Sequence, residues 1–443
     1  MDSSKQLGEE RILHLIVKFS IPAIVGMLVN AIYNVVDRIF IGNFVGPEAF
    51  AGTIVAYPYM MIVIAFGMLI GIGATSLVSI RLGQNKRDEA ERILGNGFSL
   101  LVITAILLSV VTFIFLEPIL RAFGASDITL PYASEYLRII LFGFGFQLIG
   151  FGMNNFIRAE GRPSIAMKTM LIGAILNIIL DAVFMIWFDM GIKGAALATV
   201  IAQFISMVWV LRYFFCELSL LKLKRENIPL RFDVVGGILS LGSAQFSIQL
   251  ANSVITLLFN RSFGQYGGDL AISAFGVVNS LSVMILMPMF GINQGAQPII
   301  GYNYGAKKYD RVKKALKLAI LGATALSVLG FVLAQTVPEF LASFFSDSEE
   351  VTSSAAHGIR TFFLVFPIVG FQIISSNYFQ ATGKPKKAFF LSMSRQVIML
   401  VPAILLLPKF FGVDGIWYAM PVADAISSVL TGVLLFRDIR ALN

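Results

Sequence analysis

Two carboxylates stand in surroundings that should exclude them: Asp37 in NAIYNVVDRIFIG (30–42) and Asp181 in LNIILDAVFMIW (176–187). A charged side chain at bilayer depth costs roughly 2.5–3.5 kcal/mol on insertion scales. Something must offset that cost, or the group is there because it titrates. Polar residues accompany both at helical spacing: Asn30, Tyr33 and Asn34 before Asp37, and Asn177 four residues before Asp181. Thr199, Gln203 and Ser206 form a third stripe at i, i+4 and i+7, a spacing that puts side chains on one helical face. Carboxylates with amide and hydroxyl oxygens nearby suit a proton or a hard cation such as Na⁺, because both use the same oxygens. The alternative is a purely structural Asp181, held by hydrogen bonds between helices.

The elements that must position these groups are membrane helices. Of 443 residues 57% are hydrophobic and only 14% charged, with mean hydropathy +0.81, whereas a soluble domain carries about 25% charged residues. Twelve continuous apolar runs, from 13–41 to 415–436, are each near the roughly 20 residues needed for a helical crossing. Continuous runs favour helices over a membrane barrel, whose strands alternate. The first run is too long for a cleaved signal peptide. One cysteine, Cys216, excludes an intrachain disulfide and a Cys-rich metal site, and His14 and His357 lie far apart. The net charge of +8 reflects topology rather than nucleic-acid binding. Of 34 Lys and Arg, 25 fall at the termini or after even-numbered spans and five after odd-numbered ones. Basic residues mark the cytoplasmic side, so both termini are expected there. On that topology Asp37, Asp181 and Thr199 all lie about 9–12 Å below the outer surface, at 1.5 Å of rise per residue.

The chain also repeats itself at a shift of 222 residues. IRLGQNKRDEA (80–90) aligns with YNYGAKKYDRV (302–312), and NFIRAEGRP (155–163) with NYFQATGKP (377–385). The same shift pairs Asn30 with Asn252 and Gly73 with Gly295, and slips by one to pair Gly191 with Gly412. The expected organisation is an N-terminal six-helix bundle (1–211), a basic cytoplasmic linker (212–233) and a C-terminal six-helix bundle (234–443). Parallel six-helix halves are a transporter architecture, with substrate held near the midplane.

Where the repeat fails is informative. Asp37 falls on Phe259, Asp181 on Ala403, Asn177 on Met399 and Thr199 on Met420. The polar chemistry therefore belongs to the first half, which is expected to hold the coupling cation. Gln245, Gln249 and Asn252, with Asn34, Gln203 and Met287, are candidates for a broad substrate cavity of neutral hydrogen-bonding groups and soft walls. Arg395 and Asp424 read as a structural ion pair, Arg38 as reaching the interface, and Glu160, between Arg158 and Arg162, as solvated at the cytoplasmic mouth.

Several segments resemble the multidrug and toxic compound extrusion (MATE) transporters: QPIIGYNYGA (297–306), RAEGRP (158–163), the Asp37/Asp181 pair and the two six-helix halves. The likeness covers essentially the whole chain and is closer to the DinF- and MepA-like branches than to the NorM-like one. It implies an all-α, V-shaped pair of bundles exporting lipophilic or cationic compounds in exchange for H⁺ or Na⁺. It further implies a cation-coupling set of Asp37, Asn177, Asp181 and Thr199, joined by Asn154 on span four; Tyr33 is added from its place on the polar side of the first stripe. Pro22 matches a family proline at which helix one bends. The acidic residue that NorM-like members carry on span seven is missing here, so coupling is assigned to the first half. No cofactor is expected beyond the coupling ion, the partners are small molecules and the bilayer, and the family expectation is a monomer in the cytoplasmic membrane. Alternatives are a lipid-linked or oligosaccharide flippase, which would want a cationic cavity, a membrane-embedded enzyme, or a scaffold without transport.

Overall fold

The computed structural model describes residues 4–442, the side chains of Asn34, Arg38, Asn43 and Pro47 excepted. Every regular element among them is a helix. The spans are α1 (Ile12–Phe40), α2 (Pro47–Gly83), α3 (Arg87–Ile114), α4 (Thr129–Ala159), α5 (Pro163–Asp181) and α6 (Gly191–Phe215). A 74-residue stretch, Phe232–Gly305, holds α7 and α8, separated by a non-helical backbone at Gly268. Next come α9 (Tyr309–Thr336) and α10, which is broken by 52° between Glu349–Phe362 and Phe366–Ala381. Then follow α11 (385–406) and α12 (Val413–Arg440). The sequence suggests an unbroken span at 358–380. Pro367, which has no N–H to donate to the helix, lies at the break.

Large apolar side chains face outward along these helices, among them Phe113, Phe142, Trp187 and Phe410, each more than 70% exposed. An apolar exterior of this extent belongs in lipid, so the chain is a multi-pass membrane protein. The turns of the two halves share a backbone plan. Gly161 and Gly383 both take positive φ, which closes the turn at each helix end, and Pro163 and Pro385 both open the next helix.

The chain forms two compact units that differ from the sequence halves in two segments. One unit comprises Met1–Glu9 and Val25–Phe246, the other Glu10–Ile24 and Ser247–Asn443. The start of α7 thus belongs with α2–α6, and the start of α1 with α8–α12. The division obeys the repeat, since 24 and 246 are 222 apart. The local packing obeys it too. In the first unit Gly73 of α2 lies against the Ile238 carbonyl of α7, and Gly242 of α7 against that of Leu69. In the second, Gly295 of α8 meets Phe19 and Ser20 of α1, and Gly291 meets Ile24.

Such contacts exist because these residues have no Cβ. A Cβ on Gly242 would stand 1.7 Å from the Leu69 carbonyl oxygen, whereas one on Gly236 would meet nothing within 4 Å. Gly236→Ala is therefore expected to raise thermal stability slightly, as alanine is favoured in helices by about 1 kcal/mol. Gly242→Ala is expected to lower it by about 1–3 kcal/mol, because backbone must move. Unfolding midpoints in detergent check the opposite signs.

The linker has little regular structure yet is tightly held. Glu160 is fully buried rather than solvated. It accepts from Tyr213 Oη at 2.7 Å, Ser219 Oγ at 3.0 Å and the N–H groups of Leu220 and Leu221 at 3.0 and 3.1 Å. The linker folds back over Glu160 and covers it, which neighbouring charges in the sequence do not reveal.

Candidate cation-binding site

Both carboxylate-bearing helices end in π-helical turns. α1 passes into Ile41–Val45 just beyond Asp37, and α5 into Ala182–Trp187 immediately after Asp181. These wider turns pack on each other and on α6. A residue with a Cβ at Gly194 would press on the backbone of Phe184 at 3.1 Å. Widened turns of this kind reorient side chains and recur at functional sites. Here they bring the ends of α1, α5 and the start of α6 together inside the first unit.

Asp181 is wholly buried, Asn177 is 2% and Thr199 9% exposed. Asn177 Nδ2 lies 3.4 Å from Thr199 Oγ1, which joins α5 to α6. The Asp181 carboxyl lies beside that of Asp37. Both Asp181 oxygens, Asn177 Oδ1 and Gln203 Oε1 are buried acceptors with no protein donor among the described residues. Buried acceptors rarely go unmatched, and a proton or a hard cation would match these.

Asp37, Asn177, Asp181 and Thr199 therefore share one neighbourhood. Tyr33 is half-buried one turn before Asp37 on α1. Asn154 is elsewhere. Its Nδ2 donates to the Ala166 carbonyl at 2.9 Å and its Oδ1 accepts from Arg158 at 2.9 Å. Ala166 lies roughly three helical turns before Asn177, so Asn154 holds Arg158 rather than the carboxylates. Pro22 is within a continuous α1, two residues before the chain changes unit.

The cavity candidates divide between the units. Gln203 and Gln245 lie in the first, and Gln249, Asn252 and Met287 in the second. Asn252 accepts from Gln396 of α11 at 3.1 Å. The side chains of Asn34 and Arg38 lie outside the described residues. One neighbour escaped the sequence reading: Gln147 of α4, whose Oε1 is also a buried acceptor without a donor. A Cβ on Gly143 would sit 2.8 Å from Gln203 Oε1 and one on Gly150 3.7 Å from Met207. Gln147 therefore faces the α6 stripe between them. The signal was a glutamine one turn from a glycine within an apolar run.

The second unit fills the equivalent place with aromatic rings. Phe259, at the repeat position of Asp37, stacks on Phe275 with centroids 4.8 Å apart, and Trp417 lies 4.4 Å from Phe263. The expected ion pair is present nearby, with Arg395 Nε 2.7 Å from Asp424 Oδ1.

Among the described residues, twelve helical spans arranged as a doubled unit, with the Asp37/Asp181 site in one repeat, fit a transporter of the two-fold repeat class. Residues 22–183 and 246–405 each match the MatE family, one match per repeat. The multidrug export protein MepA of Staphylococcus saprophyticus is 25% identical over 424 residues, spanning 95% of this chain and 93% of its own. The MATE multidrug transporter DinF-BH, solved with a bound ligand, is 40% identical with a TM-score of 0.91, each chain covered to 97%. A MOP superfamily transporter from Pyrococcus furiosus, 23% identical, shares the fold at a TM-score of 0.93, covered to 98% with 99% of this chain. The chain belongs to the MATE family, in its MepA- and DinF-like branch, and is a transporter rather than an enzyme.

Proposed function

We propose that this protein is an antiporter that exports lipophilic, cationic small molecules in exchange for H⁺ or Na⁺ moving inward. The coupling cation is taken at Asp181 and Asp37, with Asn177 and Thr199 supplying neutral oxygens and Gln203 and Gln147 beside them. The observation that carries this is the set of buried acceptors around Asp181 that no donor among the described residues matches. The relatives support the substrate class: one bears the name multidrug export protein, and another that of a multidrug transporter. The basic loops support a cell-membrane location with both termini cytoplasmic.

The physical logic is competition. A cationic substrate and the coupling cation both seek the same two negative charges, so binding one disfavours the other. That differential affinity is what any ligand-driven change of state requires. Efflux of a lipophilic cationic dye from proteoliposomes, under an imposed pH gradient and then an imposed Na⁺ gradient, tests the reading. One of the two is expected to drive export. If neither moves dye through folded protein, the antiport reading fails.

A further inference from the structure

The linker is held by more than Glu160. Glu91 of α3, 2% exposed, accepts from the Lys222 N–H at 3.3 Å and pairs with Lys224 Nζ at 2.6 Å. Asn96 of α3 accepts from the Arg231 N–H at 2.7 Å and donates to the carbonyls of Asn227 and Pro229. Ser99 Oγ donates to the Ile228 carbonyl at 2.6 Å. Gly95 admits the chain, since a Cβ there would lie 2.3 Å from the Asn227 carbonyl oxygen. Residues 219–231 are thus pinned along their length by side chains of α3 and by Glu160, all within the first unit.

The repeat supplies an independent observation. At a shift of 222, Glu91 falls on Lys313, Gly95 on Lys317, Asn96 on Leu318, Ser99 on Leu321 and Glu160 on Thr382. None of the five keeps its type. These Lys, Leu and Thr counterparts could not hold a linker in the same way. These positions break the repeat as the cation site does, but at the other side of the membrane.

We propose that Glu160 is a positioning residue whose carboxylate pins the linker as a fixed strap of the first unit. The strap ends at Arg231 and α7 begins at Phe232, so the strap sets where α7 starts. The chain then leaves the first unit inside α7, after Phe246, and not in the linker. Charge is essential to this role, because four donors converge on two oxygens that must act as acceptors. Burial pushes the Glu160 carboxyl above the ordinary carboxylate range, and the hydrogen bonds from Tyr213, Leu220, Leu221 and Ser219 work against that push. Glutamine has the same shape but turns an N–H₂ toward donors.

Trypsin cleavage at Lys222, Lys224 and Arg225 in the detergent-solubilised full chain tests the pin without reference to transport. Glu160→Gln is expected to be cut within the linker at least about tenfold faster than wild type, the scale set by losing charge-assisted hydrogen bonds. Glu160→Asp, which keeps the charge, is expected to be cut at a rate nearer wild type. Should Glu160→Gln not fold, Ser219→Ala removes one donor from the strap itself and is expected to be cut about threefold faster, the loss of one ordinary hydrogen bond. A linker as protected in Glu160→Gln as in wild type overturns the proposal. So does equal cleavage of the Gln and Asp variants, or, where Glu160→Gln does not fold, wild-type protection in Ser219→Ala. A transport arm rests on the antiport reading: loosening the strap is expected to lower maximal dye flux with the half-saturating dye concentration unchanged. Absence of gradient-driven dye flux in wild type itself, with linker cleavage as expected, counts against the antiport reading and not against the pin.

Discussion

Asp181→Asn is expected to bring gradient-driven dye efflux down to that of protein-free vesicles while leaving the protein folded. Asparagine keeps the shape of the side chain, removes the charge and the proton site, and turns one acceptor into an N–H₂ donor from which the neighbouring buried oxygens can accept. Asp181 is completely buried, and neither of its oxygens meets a donor among the described residues. The wild-type fold therefore carries the cost of an unmatched buried group, and the variant does not. A thermal midpoint at or above wild type, together with lost transport, is the expected pair of results. A variant that transports normally would make the aspartate structural, and one that unfolds would make it a packing residue.

The second large effect belongs to stability. Arg395 and Asp424 form the pair between α11 and α12 in the second unit, at 2.7 Å, with side chains 17% and 6% exposed. Arg395→Leu removes one partner and leaves Asp424 buried without its cation. Breaking such a pair costs about 3–5 kcal/mol. The double variant Arg395→Leu, Asp424→Leu is expected to regain most of the loss, because two apolar groups replace the pair. Thermal unfolding of wild type, Arg395→Leu and the double variant in detergent checks this. Equal midpoints for wild type and Arg395→Leu would show that the pair contributes nothing.

Much of this molecule was legible in its sequence because membrane helices announce themselves and duplication leaves a constant shift. Phe259 beneath Asp37 in the alignment already indicated that only one half holds carboxylate chemistry, and the ring stack around Phe259 is the physical form of that difference. Asp37, Asn177, Asp181 and Thr199 were recognisable from helical spacing and depth. What stayed hidden depended on long-range packing. Glu160 sits between two arginines in sequence, and nothing local shows that a linker sixty residues on will cover it. The membership of 10–24 and 234–246 is set by glycine contacts between distant helices, which no periodicity records. Asn154 matched the family pattern by position, yet its neighbours in space are Arg158 and the Ala166 carbonyl. Gln147 was missed because a single glutamine in an apolar helix carries no stripe.

In the proposed exchange, substrate and coupling cation compete for the Asp181–Asp37 charge. Equilibrium binding of a lipophilic cationic dye to the solubilised protein, titrated against pH and then against Na⁺, addresses it most directly. Dye affinity is expected to fall as protons or Na⁺ are added, and Asp181→Asn to bind dye weakly and no longer respond to the ion. An Asp181→Asn variant whose dye binding keeps the wild-type dependence on both ions would contradict it.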